Sequence, residues 1–181
     1  MTRLPYRSTE SMTEEARELT VERGNLNVYR ALANAENVFT GWMVAGRAAL
    51  TSPVVSARLR ELVILRTGHL MGSPYEVAQH SGIAEKAGLT ATQLVALASG
   101  HLDCASFDET ELAVLRLTTE LINTKQVSAA LFERVRSVLG DEATMEVLML
   151  IHRWSGLALM LNALDVDLDT DARISIPQSA G

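Results

Sequence analysis

The chain has 181 residues, 48% of them hydrophobic but only 4% aromatic, a net charge of −6 and a single cysteine. This length favours one domain spanning 1–181, with a core of Leu, Val, Ala, Met and Ile that suits packed helices, so the expected fold class is all-α. The acidic balance argues against nucleic acid or an anionic membrane as partner, since both need basic stripes, and Cys104 alone excludes an intramolecular disulfide.

Residues 1–10 read as a loose N-terminal arm. Thr13-Glu14-Glu15-Ala16 then reads as a capped helix start with acids in the first turn, and Gly24-Asn25 as its end. From 28 to about 50 the sequence predicts one helix, with Leu32, Ala35, Phe39, Trp42, Val44 and Ala49 at helical spacing and Ser52-Pro53 as the stop. Its glycines, Gly41 and Gly46, read as allowing close helix packing. Ser56 opens the next helix, whose stripe includes Leu59, Leu62, Val63 and Leu65. Gly72-Ser73-Pro74 breaks it, and a partner helix runs from Pro74 to Lys86 and closes at Gly88. Thr90 starts a short helix that ends at Ser99-Gly100, and Phe107-Asp108-Glu109 starts another, which ends near Asn123-Thr124. Ser128 caps a helix carrying Leu131, Phe132, Val135 and Val138, with Gly140 as its stop.

The last helix runs from about 141 to 164. Met145, Leu148, Met149, Leu157, Met160 and Leu161 make it apolar on more than one side, which implies packing against another subunit as well as its own core. Residues 170–181 read as a mobile tail. The N-terminus has no apolar core of signal-peptide type, and no run is read as reaching the roughly 20 apolar residues that span a bilayer, so the expected location is the cytoplasm and no membrane partner is expected. Metal-ligand spacings, Gly-rich phosphate loops and Gly-x-Ser-x-Gly elbows are not found, so no cofactor and no metal are expected.

Chemistry concentrates around the Gly72-Ser73-Pro74 break. Ser73 follows Glu61 by twelve positions, Glu76 follows by three more and His80 by four more. Glu76 and His80 are i,i+4 neighbours, so the carboxylate can orient the imidazole and raise its pKa. A helical acid/base pocket is the expectation.

This region resembles the carboxymuconolactone decarboxylase family, most strongly from about 53 to 97, with a core of about 35–120 and weaker support from LMLNALDVDLD near the C-terminus. The alkylhydroperoxidase-D-like (AhpD-like) branch of that family carries Glu, then Cys-x-x-Cys, then His at this spacing. Glu61 and His80 fall on its Glu and His; its cysteines would fall on Ser73 and Glu76. A dithiol peroxidase needs an attacking thiolate and a resolving thiol, so the resemblance here is to the thiol-free members. It implies an AhpD-like helical bundle, a homo-oligomer such as a dimer-based trimer or hexamer, and cofactor-free chemistry on a small-molecule substrate.

Each candidate has a plainer role beside its functional one. His80 as proton donor, Glu76 as orienting partner and Glu61 as relay form the catalytic set. Glu76 can equally be a first-turn carboxylate favoured by the helix dipole, and Glu61 can pair with Arg58 or Arg60. Ser73, Tyr75, His69 and His152 are candidate substrate contacts. Ser73 can instead cap the Pro74 helix, Tyr75 can pack as a first-turn aromatic, and His152 is either a satisfied core histidine or a second pocket wall. Cys104 reads as a partly exposed structural thiol, and Trp42 and Trp154 as packing residues. Three functions compete. The first is a cofactor-free acid/base lyase acting on a small oxygenated acid, lactone or enol. The second is a non-catalytic helical oligomer that binds a small ligand or a protein, and the third a thiol-dependent alkylhydroperoxidase, which positions 73 and 76 oppose.

Overall fold

The computed structural model describes residues 2–104 and 107–170, apart from the Cys104 side chain. The readings of Cys104 as a partly exposed thiol and of the C-terminal residues as a mobile tail fall outside it. Among the described residues the chain forms α1 (Glu14–Glu22), α2 (Asn27–Leu32), α3 (Glu36–Thr51), α4 (Ala57–Leu70), α5 (Pro74–Lys86), α6 (Ala91–Ser99), α7 (Glu109–Thr124) and α8 (Ala129–Leu164), with two short 3-10 turns and no strand. The described residues group into two compact units, 2–52 with 160–170 and 53–159.

In the first unit α1 packs on α3. The Thr13 side chain accepts from the Ala16 N–H, which fixes the start of α1 as its sequence implied. The segment expected to be a loose arm is tied down: Arg3 N–H donates to the Leu164 carbonyl at 2.7 Å and Arg7 N–H to that of Arg30 at 3.0 Å, while Tyr6 Oη–H donates to Asp167 at 3.0 Å. The single helix expected from 28 to about 50 is instead two helices. Ala35 sits at φ −97°, ψ 60°, and the Asn34 amide donates to the Pro5 and Ala31 carbonyls at 2.8 and 2.9 Å. A side chain that bonds nearby backbone competes with helix continuation, which is the physical reason for the break. After it the buried stripe is Phe39, Met43, Gly46 and Leu50. Val44, expected on that stripe, is exposed, and Gly41 has open space beside it rather than a packed neighbour.

In the second unit α4 packs against α5, α6 and α7. Every residue from Leu59 to Gly68 is buried, which explains why its polar positions are not on a solvent face. Two arginines fasten it at either end. Arg58 bonds the Glu111 carboxylate at 2.6 Å and the Gly88 carbonyl at 2.5 Å; Arg66 bonds the Leu97 carbonyl at 2.8 Å and Thr119 Oγ1 at 3.0 Å. Between α4 and α5, Gly72 takes φ +60°, Ser73 N–H reaches the Gly68 carbonyl at 2.9 Å and Gly72 N–H that of His69 at 3.2 Å. This is a Schellman close, which lets Pro74 begin α5 at once. Reciprocal capping boxes start α6 (Thr90 with Gln93) and α7 (Asp108 with Glu111).

Gly140, at φ 81° and ψ 172°, breaks α8 into two helical limbs where the sequence placed a stop. The second limb, Asp141–Leu164, has a mean hydropathy of 1.4 over its most apolar stretch and is long and apolar enough to cross a membrane by length and composition, which corrects the expectation that no such run exists. A core helix meets the same criterion, and this limb buries Val147, Leu150, Ile151, Trp154, Leu157, Ala158 and Leu161. Its other side leaves Met145, Met149 and Leu159 exposed.

Candidate active site

Glu61 lies midway along α4, Glu76 in the first turn of α5 and His80 one turn further on. The tight close at Gly72 turns α5 back along α4, so positions far from each other along the chain meet. His80 Nδ1 stands 2.8 Å from Glu61 Oε2, and His80 Nε2 stands 3.7 Å from Glu76 Oε2. The three side chains are only 1–2% exposed. Glu61 and His80 therefore face each other as their spacing implied, but packed into contact rather than lining an open cavity. The two helices pack closely at Gly68, where a Cβ would stand in ordinary contact, 3.4 Å, with both Glu76 Cβ and Val77 Cγ2.

A fourth group completes the cluster from α8. Trp154 Nε1–H donates to His80 Nε2 at 3.3 Å, with the two rings edge-on at 84° and their centroids 5.8 Å apart. Since Nε2 accepts, the proton of the neutral ring resides on Nδ1, where Glu61 receives it. The sequence reading of Trp154 as packing alone is thus incomplete. A buried indole requires a partner for its N–H, and that requirement was the available signal.

The charges are poised. Burial pushes the Glu76 carboxyl above its ordinary range and the Glu61 charge adds to this, while the charge of His80, the Trp154 hydrogen bond and the charge of Arg153 pull partly back. Burial penalises the His80 imidazolium, yet the Glu61 charge and hydrogen bond, with the Glu76 charge, outweigh it and hold the pKa above 6.5. Glu61 Oε1, Glu76 Oε2 and Ser73 Oγ are buried without a hydrogen-bond partner. Buried polar atoms are normally satisfied, so each of these has capacity for a further hydrogen bond.

The remaining candidates divide. Ser73 is buried at the start of α5, and its side chain makes no capping bond. Tyr75 is 2% exposed, deeper than a partly buried first-turn aromatic. His69 sits half-buried at the end of α4, where burial and then the Arg66 charge hold its pKa below 6.5. His152 is a correction: it is exposed, neither a core histidine nor a wall of the site. Two positions separate it from buried Trp154, about 200° around the helix. Arg58 and Arg66 are committed to α6, α7 and the α5 end, so neither serves Glu61 or a substrate anion. Sequence reading also missed Arg153, whose guanidinium carbon lies 5.9 Å from the Trp154 ring centroid and whose charge acts on Glu76; Arg60, which it offered as a partner for Glu61, is 7% exposed and acts on Glu61 through its charge.

The described residues form an all-α fold of the AhpD-like class. Residues 36–120, a little under half of the chain, match the model of the Carboxymuconolactone decarboxylase family. Among solved structures, the alkylhydroperoxidase AhpD core of a peroxidase-related protein from Ralstonia eutropha is similar at 18% identity and TM-score 0.81, covering 94% of this chain and 93% of that one. A cysteine-to-alanine variant of the debrominase Bmp8, in complex with 2,3,4-tribromopyrrole, is similar at 15% identity and TM-score 0.74, covering 93% and 91%. A protein of unknown function from Agrobacterium tumefaciens is similar at 18% identity and TM-score 0.68, covering 77% and 96%. These likenesses show the fold. No curated protein matches the chain.

Proposed function

We propose that this protein is a cofactor-independent acid/base enzyme that moves a proton on a small oxygenated acid, lactone or enol, by decarboxylation or isomerisation. The observation that carries the reading is the buried row Glu61···His80···Glu76, in which Glu61 Oε1 and the Glu76 Oε2 that faces His80 make no hydrogen bond. Both nitrogens of His80 are engaged, so the geometry favours Glu76 over His80 as the group that meets substrate. Its raised pKa favours the neutral acid, which can protonate an enolate carbon. The replacement proton reaches the Glu76 carboxylate by way of His80 Nε2, and Glu61 stabilises the imidazolium while the ring carries it. Arg153, partly exposed beside Trp154, is the cation placed to meet a substrate carboxylate. Ser73 and Glu76 supply no thiol, so dithiol peroxide reduction has no place in this scheme.

The same reading includes a homo-oligomer, because α8 presents an uncovered apolar face, and cytoplasmic action on a small molecule. The near-complete burial of the three residues favours one rival, a polar network that fixes register in a non-catalytic oligomer. Deuterium incorporation into carbon–hydrogen positions separates the two. In D₂O, with a panel of β-keto acids and unsaturated lactones as probes, the enzyme labels its product, and Glu76→Gln reduces the rate by roughly 10²–10⁴-fold. An equally active Glu76→Gln protein refutes the assignment, and a wild-type protein that labels none of the panel favours the network.

A further inference from the structure

The lone pair of His80 Nε2 is contested. The Glu76 carboxyl stands 3.7 Å away, and if protonated it would donate to that nitrogen and lose its proton there. The Trp154 indole N–H reaches it first, at 3.3 Å. One imidazole lone pair serves one good donor at a time. We propose that Trp154 is a positioning residue that caps His80 Nε2, so that the proton carried by Glu76 is delivered to substrate instead of being taken by the imidazole. This rests on the acid/base reading above, but the hydrogen bond and its effect on the protonation state are testable without any substrate.

From α4, Glu61 takes Nδ1–H and favours the charged ring, and Arg60 acts on Glu61. From α5, Glu76 also favours the charged ring. From α8, Arg153 acts on Glu76. Trp154 works against the two glutamates, since only a ring with a free Nε2 lone pair can accept its N–H. The indole also has a second acceptor. Its hydrogen bond favours the carboxylate form of Glu76. The donor can therefore follow the proton: it sits on Nε2 while Glu76 holds the proton, and on Glu76 once the proton has gone to substrate. His80 Nε2 is then released to accept or carry the replacement. The bonds exchanged are one N–H···N for one N–H···O, with no change in total proton count. The edge-on ring geometry suits this, because a small tilt of the indole plane moves the N–H between the two acceptors.

Trp154→Phe keeps the apolar ring and deletes the donor. With histidine ring nitrogens labelled, the wild-type His80 signal at alkaline pH, once the ring is neutral, is that of the Nδ1–H tautomer. In Trp154→Phe, Glu76 closes on Nε2 and the apparent pKa of His80 rises by about one pH unit, the equivalent of a single net hydrogen bond. Where substrate turnover is measurable, the alkaline limb of its pH profile moves by the same amount. A second readout needs no variant: in the wild-type protein the Trp154 indole N–H resonance titrates together with His80, and that of Trp42 does not. An unshifted His80 titration in a folded Trp154→Phe protein overturns the proposal. Should that variant not fold, an indole resonance of Trp154 that ignores the His80 titration overturns it equally. These readouts concern protonation, so they can fail while Glu76→Gln still abolishes turnover, and the reverse.

Discussion

At the level of single residues, the site concentrates costs that an ordinary core avoids. Two carboxyls and an imidazole are buried together, and removing one partner of such a set strands the others, typically at about 3–5 kcal/mol. The pH dependence of stability follows from the directions of the shifts. The folded-state pKa of Glu76 is raised above 4.5 and that of His80 above 6.5. Each contribution is therefore fully present below those unfolded values and is lost as pH rises through the raised folded values. The thermal midpoint should fall as pH rises, the Glu76 part of the decline setting in above about pH 4.5 and the His80 part above about pH 6.5. His80→Gln retains hydrogen bonding but cannot titrate, so the part of the decline that belongs to the imidazole disappears while the fold persists. Differential scanning calorimetry from pH 5 to 9 on both proteins measures this. A decline of equal steepness in His80→Gln means that other groups produce it.

At the level of elements, what sequence could reveal depended on how local the cause was. The Thr13, Ser56, Thr90 and Asp108 caps and the break at Gly140 were readable because each is fixed by residues within a turn. Glu61 and His80 were readable as a pair because a short break forces α4 and α5 to be neighbours, and the family resemblance supplied the register. The α2–α3 break was not, since the Asn34 bond to Pro5 comes from a segment that sequence periodicity treats as separate. Nor was the Trp154 contact, made across 74 positions between helices with no shared pattern. The pivot of the legible part can be tested. Gly72 lies at φ +60°, and a Cβ there meets nothing within 4 Å, so Gly72→Ala pays only for the left-handed backbone. The expected loss is about 1 kcal/mol, seen as a lower urea midpoint with an unchanged slope. A midpoint equal to wild type would mean that the close between α4 and α5 tolerates another geometry.

At the level of the whole molecule, the face of α8 that the chain leaves uncovered decides what form the protein takes in solution. Met145, Met149 and Leu159 are 58%, 58% and 59% exposed, and with exposed His152 and half-exposed Gly156 between them they recur at alternating spacings of four and three. That is the seam spacing of packed helices. The limb is also apolar enough to span a bilayer by composition, but Trp154, Leu150 and Ile151 on its other side are buried in the core. A helix already committed on one face has its second face left for another chain, and a second copy bringing the same seam is the occupant we propose. Light scattering in detergent-free buffer at micromolar concentration should then give a mass at least twice the 19.7 kDa of one chain. Met149→Glu places a charge mid-seam, and burying it against a like charge on a second copy should weaken association by at least about tenfold, or 1.4 kcal/mol. Because Met149 is exposed in the single chain, the substitution should leave its helicity intact, so a drop to monomer without loss of circular dichroism identifies the seam. A wild-type protein that stays at 19.7 kDa, or a Met149→Glu oligomer as stable as the parent, rules this face out as the interface.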